Sequence, residues 1–318
     1  MIETYERPDP ITREEILQVI REGYENGKEA ATAGVVADYI PELARADGKD
    51  FGICIRCADG DTVSFGQTKT RFSIQSISKV INLALALKFL GFREVFSHVQ
   101  LEPSGDPFNS IIKLDTVNDF PFNPMINAGA IEVVNLLAEE FAFEDILAFA
   151  REFCMDDEIV LNEAVYASES ETGDRNRAIA YLLKSKGVLR GDPDKTLDLY
   201  FRMCSLNVNA ESLANMGLIL AQGGQNPFTG KHLLHPHYVR TLKSLMLTCG
   251  MYDESGAFGV LAGLPSKSGV GGGIVSAVTA KQLGIGTYGP ALNEKGNSIG
   301  GIAALNHISH RLHLNIFG

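Results

Sequence analysis

The sequence of 318 residues lacks tryptophan and holds five cysteines, an odd number. It also lacks an apolar run of about 18 residues, the length that spans a membrane, and a basic and apolar leader segment. Cations are in deficit, since 28 lysine and arginine residues stand against 39 aspartate and glutamate residues, for a net charge of −11. These absences argue against a disulfide-built secreted protein, a membrane protein, and nucleic acid or anionic membranes as partners. We therefore expect a cytoplasmic globular protein.

Cys54 and Cys57 form a Cys-x-x-Cys pair, which can indicate a redox or zinc site. The segment Phe51–Cys57 has the pattern of a β-strand, in which residues three apart point to opposite faces. No second Cys-x-x-Cys completes a zinc site. We therefore expect reduced and buried thiols.

The most informative stretch is Ser76-Ile77-Ser78-Lys79, at the start of an apolar helical pattern that runs to about Phe89. Residues three apart lie on one face of a helix, so the Ser76 hydroxyl and the Lys79 amine should be neighbours. A desolvated lysine can lose its proton and act as the base for a serine nucleophile. The spacing therefore predicts acyl transfer without histidine.

Other motif matches lack the structural context that their chemistry needs. A second Ser-x-x-Lys, from Ser110 to Lys113, follows a segment rich in turn residues and has no long helix after it. Gly296–Gly300 matches a nucleophile elbow, but no strand pattern precedes it and no acidic residue follows it. Gly284–Gly289 matches a dinucleotide fingerprint, but Pro290 stands where the helix should begin, which favours a bent strand or turn. Three closely spaced histidines, His232, His235 and His237, could suggest a metal site, but their spacing and a nearby proline favour a surface loop.

Apolar periodicity divides the chain into strands, a long helical block and strands again. Neither group of strands can bury a sheet alone, so we predict an α/β (α+β) fold in which both groups form one antiparallel sheet. Terminal helices should flank this sheet, and the all-helical block should be an insertion. The predicted sheet lobe comprises residues 1–72 and 225–318, the helical lobe comprises residues 73–224, and Ser76 lies at their junction. Strands are predicted at 51–57, 61–66, 273–279 and 282–287, and helices at about 12–26, 76–89, 126–140, 144–153, 175–185, 195–204, 211–222, 237–247 and 298–312.

The ordered motifs resemble the serine-dependent glutaminase family, a branch of the serine β-lactamase and penicillin-binding-protein-like fold. The similarity runs from about Tyr39 to Gly301 and joins Ser76-x-x-Lys79 with Lys267-Ser268-Gly269 on a late strand. At one position, Ser266, the family commonly has alanine. The other matching segments are Phe72–Gln75, Glu102–Gly105, Asn123–Ile131, Ser168-Glu169, Gly173–Asn176, Tyr200 with Cys204-Ser205, Gly250–Asp253 and Gly263–Val270.

The resemblance implies hydrolysis of the side-chain amide of L-glutamine to glutamate and ammonia. It implies no metal and no organic cofactor, and a homodimer or homotetramer. Ser76 is then the nucleophile, Lys79 the base, and the backbone N–H groups of Ser76 and Val270 the oxyanion hole. Tyr252 and Tyr200 are the candidates that relay a proton to the leaving ammonia, with Tyr252 favoured as the partner of Ser76.

Glutamine is a zwitterion, so its site needs an anion for the ammonium group and donors for the carboxylate. Glu169 suits the first role. Asn127, Asn176 and Tyr39 suit the second, and Gln75 borders the pocket. Two alternatives on the same fold stay open, a β-lactamase or peptidase, and a penicillin-recognising sensor that acylates and never turns over.

Overall fold

The computed structural model describes residues 13–38, 40–105, 107, 109–111 and 120–318. Tyr39 of the predicted site and Lys113 of the second Ser-x-x-Lys motif lie outside the described residues. The helices are α1 (Arg13–Ala31), α2 (Ser78–Phe89), α3 (Gly91–Val95), α4 (Asn127–Ala138), α5 (Phe143–Cys154), α6 (Glu163–Thr172), α7 (Asp174–Ser185), α8 (Pro193–Cys204), α9 (Ala210–Ala221), α10 (Pro236–Cys249), α11 (Ser255–Leu261) and α12 (Ile299–Arg311). The strands are β1 (Val35–Val36), β2 (Gly52–Cys57), β3 (Thr62–Gly66), β4 (Phe72–Ser73), β5 (Asn207–Val208), β6 (Ser266–Ser268), β7 (Gly273–Val278), β8 (Leu283–Tyr288) and β9 (Ala291–Leu292).

Strands from the two ends of the chain pair with each other in one sheet. The order is β3-β2-β8-β7-β6, and each neighbouring pair is antiparallel. In the register that joins the two ends, Gly52 lies opposite Tyr288 and Arg56 lies opposite Gly284. The predicted antiparallel sheet, built from both groups of strands, is therefore confirmed.

Helices cover both faces of this sheet. On one face α1 packs against α12, where a Cβ at Gly23 would lie 2.7 Å from the Ile308 side chain. On the other face α9 approaches so closely that a Cβ at Gly284 would lie 2.0 Å from the Ala214 carbonyl oxygen. Glycine in a strand permits such a contact. Gly284 of the dinucleotide-like motif thus lies in a regular strand, β8, and serves the packing of a helix.

Helix α2, which follows the Ser76 turn, is buried on every side. Each residue from Ser78 to Leu87 is buried, and the apolar ones belong to the core of the helical block. A helix that is apolar all round is expected in such a core. The consequence is that Lys79, in the first turn of α2, carries its amine into the interior.

Several boundaries differ from the prediction for physical reasons. Helix α1 continues past Asn26 to Ala31, because Gly27 is a packing position, where a Cβ would lie 2.3 Å from the Phe51 ring. Ser76 itself lies in a 3₁₀ turn, Gln75–Ile77, that leads into α2. The helices α3, α6 and α11 and the short strands β1, β4, β5 and β9 were not predicted.

The elbow-like segment and the closely spaced histidines have structural roles. Ser298 of the elbow-like segment caps α12 by accepting a hydrogen bond from the Gly301 backbone N–H. His235 caps α10, and His237 lies in the first turn of that helix, so the loop prediction is wrong for His237. Within the described residues no cluster of metal-ligating side chains occurs, and no helix is long and apolar enough to cross a membrane.

The cysteines are free thiols. Cys54, Cys154 and Cys204 are buried as expected, whereas Cys57 and Cys249 are only partly buried. Cys57 ends β2 at the edge of the core, which explains its exposure.

Candidate active site

A cavity of about 330 Å³ opens beside the turn that carries Ser76. It lies where the sheet and the helical block meet, as predicted for the junction of the two parts. Most of the predicted site residues line it, namely Gln75, Ser76, Asn127, Glu169, Asn176, Tyr200 and Val270. Lys79 lies behind Asn127, and Tyr252 lines an adjoining cavity of about 230 Å³ together with Met125 and Cys249.

The Ser76 turn is held in an unusual backbone conformation. Gln75 has a φ of +51°, in the left-handed region that costs a residue with a side chain about 1–3 kcal/mol. Its side-chain Nε2 donates to Ser73 Oγ at 3.2 Å, within buried surroundings. The turn therefore presents Ser76 at the cavity wall, where its side chain is largely enclosed.

Lys79 is buried, with 1% of its surface exposed. Its Nζ donates to Asn127 Oδ1 at 2.6 Å and to the Met125 carbonyl oxygen at 3.2 Å. Burial lowers the pKa of Lys79 to about 8, although Cys204 and Glu169 act in the opposite direction. A substantial fraction of this amine is therefore neutral at mildly alkaline pH.

A chain of hydrogen bonds leads from Lys79 to the cavity. Lysine can only donate, so the atom that it contacts on Asn127 is the carbonyl oxygen. The amide nitrogen of Asn127 then donates to Asn176 Oδ1 at 2.9 Å. This order fixes the orientation of both amides and leaves the Asn176 NH₂ group as a donor beside the cavity. Asn127 begins α4 and Asn176 lies in the first turn of α7.

Glu169, on α6, supplies a carboxyl group inside the cavity. It is 7% exposed, and burial raises its pKa to about 7, while a hydrogen bond from Gln75 and the charge of Lys79 lower it. An enclosed carboxylate of this kind can be stabilised by a cationic ligand. It is therefore suited to hold an ammonium group.

The glycine-rich segment before β7 packs against the backbone of the Ser76 turn. A Cβ at Gly271 would lie 2.3 Å from the Ser73 carbonyl oxygen, so only glycine permits this approach. The contact brings the Val270 backbone to the cavity wall. Burial raises the pKa of the Tyr252 hydroxyl, and its interactions with Ser76 and the Val270 backbone lower it. Ser76, Val270 and Tyr252 are thus brought together.

Tyr200 lies on α8 and is also enclosed. Burial raises the pKa of its hydroxyl well above the ordinary value, with further contributions from Cys204 and Glu169. Its phenol is therefore protonated over the physiological range and can act as a hydrogen-bond donor.

Lys267 was recognised as part of a motif but not as a site residue. Its fully buried amine donates to the carbonyl oxygens of Gly250, at 3.1 Å, and Ser268, at 2.6 Å. Its Nζ also lies 4.4 Å from the centroid of the Tyr252 ring. Burial, together with the charge of Lys79, lowers the pKa of Lys267. The Lys-Ser-Gly motif could have indicated this residue.

Several residues that line the cavity have no predicted role. Arg175 and Asn109 lie at its wall and are joined by a hydrogen bond from Arg175 Nε to the Asn109 carbonyl oxygen at 2.9 Å. Cys204 lies within 3.9 Å of Ser78 Oγ. Arg175 belongs to the segment Gly173–Asn176, which was noted only as a match.

The antiparallel sheet, the inserted helices and the Ser-x-x-Lys turn at their junction define a protein of the serine β-lactamase-like fold class. A family model described as Glutaminase matches residues 34–317. The chain therefore belongs to the glutaminase family.

Individual relatives cover nearly the whole chain. Glutaminase 2 of Clostridium perfringens (strain 13 / Type A) is 50% identical over 297 residues, which are 92% of this chain and 97% of the relative. The solved structure of a probable glutaminase, YbaS, superimposes with a TM-score of 0.91 at 36% identity, covering 96% of this chain and 99% of that one. A second solved structure is the covalent complex between the Bacillus subtilis glutaminase YbgJ and 5-oxo-L-norleucine, formed by reaction with 6-diazo-5-oxo-L-norleucine. It has a TM-score of 0.83 and 35% identity, and covers 93% and 98% of the two chains.

Proposed function

We propose that this glutaminase hydrolyses the side-chain amide of L-glutamine to L-glutamate and ammonia through a covalent glutamyl–serine ester. The observation that carries the proposal is the buried Lys79 amine, with a pKa lowered to about 8, one helical turn after Ser76. A neutral amine at this position can act as a general base near physiological pH. No step of the proposed reaction needs a metal ion or an organic cofactor.

In the first half of the reaction, Ser76 Oγ attacks the side-chain carbonyl carbon and Lys79 takes the hydroxyl proton. The carbonyl oxygen becomes an anion, which the backbone N–H groups of Ser76 and Val270 stabilise. The C–N bond then breaks as the nitrogen receives the proton that Lys79 took from Ser76 and leaves as ammonia, so that Lys79 is neutral again. Tyr252 is the proposed relay for this proton because its hydroxyl interacts with Ser76, with Tyr200 as the second candidate.

In the second half, water attacks the ester carbon and gives its proton to Lys79. The glutamate product is released, and Ser76 recovers its hydroxyl hydrogen. The same base and the same oxyanion hole therefore serve both halves.

The two charged groups on the α-carbon of the substrate are proposed to bind to different residues. Glu169 holds the ammonium group, and Asn127 and Asn176 donate to the carboxylate. Tyr39 is proposed for the carboxylate as well, and Gln75 borders the pocket and orients Glu169 through a hydrogen bond. A reacting amide must be held to within a few tenths of an ångström for efficient attack.

The covalent complex of Bacillus subtilis glutaminase YbgJ with 5-oxo-L-norleucine supports a covalent route in a relative of this chain. The experiment for this chain is intact-protein mass spectrometry after incubation with 6-diazo-5-oxo-L-norleucine. We expect a single adduct with the native chain and none with Ser76→Ala, which should also release no ammonia from L-glutamine. An adduct of equal yield on Ser76→Ala would contradict Ser76 as the nucleophile.

A chromogenic β-lactam, assayed beside L-glutamine, distinguishes this proposal from the other activities of the fold. We expect ammonia release from glutamine and no β-lactam turnover. A stable penicillin adduct without ammonia release would instead indicate a penicillin-recognising sensor. The homodimer or homotetramer is proposed from the family resemblance and the cytoplasmic location from the composition, and light scattering after size exclusion tests the first.

A further inference from the structure

The cavity beside Ser76 has two charged side chains at its wall among the described residues, one of each sign. Glu169 is enclosed, whereas Arg175 is exposed. The cavity therefore has a buried anion and a cation at its mouth. The amine of Lys79 does not line the cavity, because Asn127 lies between.

The guanidinium group of Arg175 is anchored at this mouth through its Nε atom. Its Nε donates to the Asn109 carbonyl oxygen at 2.9 Å, and both residues line the cavity. Across the described part of the chain, no hydrogen bond or ion pair engages its terminal nitrogens, Nη1 and Nη2. The anchored Nε fixes the plane of the group, and the two terminal nitrogens remain as a pair of parallel donors.

Two of the neutral donors that line the cavity, Asn127 and Asn176, are the ones proposed for the carboxylate. Asn127 already gives its carbonyl oxygen to Lys79 and its amide nitrogen to Asn176, so its donating capacity is partly used. Asn176 contributes one NH₂ group, and it is the residue directly after Arg175 in the first turn of α7. The positive end of the helix dipole lies at the same turn. An anionic group placed here would meet an amide, a guanidinium and a helix N-terminus together.

We infer that Arg175 is a specificity-determining residue that binds the α-carboxylate of the substrate through Nη1 and Nη2. The inference rests on the proposed function, since it assigns the second charge of the same substrate. Ser76 attacks the side-chain amide inside the cavity, so the α-carbon end lies toward the mouth, where Arg175 is. The cavity then selects free amino acids and rejects glutamine with a blocked α-carboxyl group, such as an internal residue of a peptide.

The experiment compares two substrates that differ only at the α-carboxyl group, L-glutamine and L-glutaminamide. Product formation is followed by chromatography and mass spectrometry, since hydrolysis of the side-chain amide of glutaminamide gives isoglutamine. For Arg175→Gln we expect KM for L-glutamine to rise about 10-fold or more, the value of one charge-assisted hydrogen bond, with kcat within about a factor of two. For L-glutaminamide we expect kcat/KM to be the same in the native chain and Arg175→Gln.

Two further variants separate binding from structure. Arg175→Lys keeps the charge but loses the paired donors, so we expect it to recover part of the affinity for L-glutamine. Arg177→Gln is the matched control, because Arg177 is on the same helix, contacts Asp174 and the Ser170 carbonyl oxygen, and does not line the cavity. It should leave both substrates unaffected.

An unchanged KM for L-glutamine in Arg175→Gln, or an equal loss on both substrates, would overturn the inference. Failure of the proposed function would be seen differently, as absent ammonia release by the native chain and an absent Ser76 adduct. Circular dichroism of each variant before the assay establishes that the comparison is made on folded protein.

Discussion

Lys79 Nζ lies 2.6 Å from Asn127 Oδ1, so the amine proposed as the catalytic base is oriented by the first residue of a different helix. The contact joins α2 to α4 at the cavity wall. Because the Asn127 amide continues to Asn176, a change at any of these three residues should affect both the base and the substrate donors.

The pH dependence of turnover should report the state of Lys79. A general base must be neutral, and the pKa of this amine is lowered to about 8, so kcat/KM should rise with pH and level off above about 8. Steady-state ammonia release between pH 6 and 10 measures this. A profile that is flat across the interval would contradict Lys79 as the base.

Asn127→Asp should shift the pH profile of kcat/KM to higher pH. An aspartate beside Lys79 favours the charged amine and raises its pKa, so the inflection should shift to higher pH by about one unit or more. Activity at pH 7 should fall and recover in part at pH 9.5. If the inflection stayed in place while activity fell, Asn127 would act on the substrate alone.

Glu169→Gln should weaken substrate binding more than it slows the chemical step. The loss of a charged partner for the ammonium group should raise KM about 10- to 100-fold. In the native chain Glu169, with a pKa raised to about 7, becomes ionised as pH rises, so 1/KM should increase through that range. The variant should lack this increase. A KM equal to that of the native chain would remove Glu169 from the ammonium site.

Gly271→Ala should impair catalysis through the backbone. Its Cβ would lie 2.3 Å from the Ser73 carbonyl oxygen, which forces Val270 away from the Ser76 turn. Loss of an aligned oxyanion donor typically lowers kcat about 100-fold or more. Gly259→Ala in α11 is the control, because nothing lies within 4 Å of its added Cβ. Kinetics and thermal unfolding should show the control to be fully active and at least as stable as the native chain.

A carboxyl group outside the cavity should make stability depend on pH. Glu132 in α4 is fully buried, with Oε1 3.0 Å from His98 Nδ1. Burial raises its pKa from 4.5 to about 8, although Asn135 and Arg190 lower it. The folded chain therefore holds this proton more strongly than the unfolded chain, and stability is lost as pH rises from about 4.5 through 8.

Glu132→Gln removes that titration. The variant should be more stable than the native chain at pH 9 and about equal to it at pH 5, as measured by urea unfolding at both values. The difference between the two chains cancels the contribution of Lys79, which is present in both. Equal stability of the two chains at pH 9 would contradict a raised pKa at Glu132 in the folded chain.

Part of the site could be predicted from the spacing of residues that are close in sequence. Ser76 and Lys79 are three residues apart on a helical turn, and Gly271 lies in a glycine-rich segment, so chemistry and close approach could both be inferred. Asn127, Glu169 and Asn176 were predicted from the resemblance of ordered motifs to a family, and not from local physical chemistry. The structure places Ser76, Asn127, Glu169 and Asn176 at one cavity, with Lys79 behind Asn127, and the role of each is a proposal.

The rest depends on tertiary contacts that no local pattern contains. Gly27 resembles a helix end, and only the neighbouring Phe51 shows that it is a packing position within α1. Arg175 resembles any exposed arginine until the Asn109 carbonyl oxygen fixes its guanidinium at the mouth. The segment of α6 has weak apolar periodicity, since it buries only Val165, Ser168 and Glu169, and the sequence therefore predicts no helix there.

The pairing of β2 with β8 has a consequence for how the chain reaches its native state. Helix α1 and the hairpin of β2 and β3 find their sheet partner only in residues more than 200 positions later. During synthesis the apolar faces of α1, β2 and β3 therefore stay exposed until β8 and α12 have left the ribosome. Such non-local closure slows folding and prolongs the period of aggregation risk. The helices α2, α4, α7 and α8 pack on one another and can assemble while the ends are still apart.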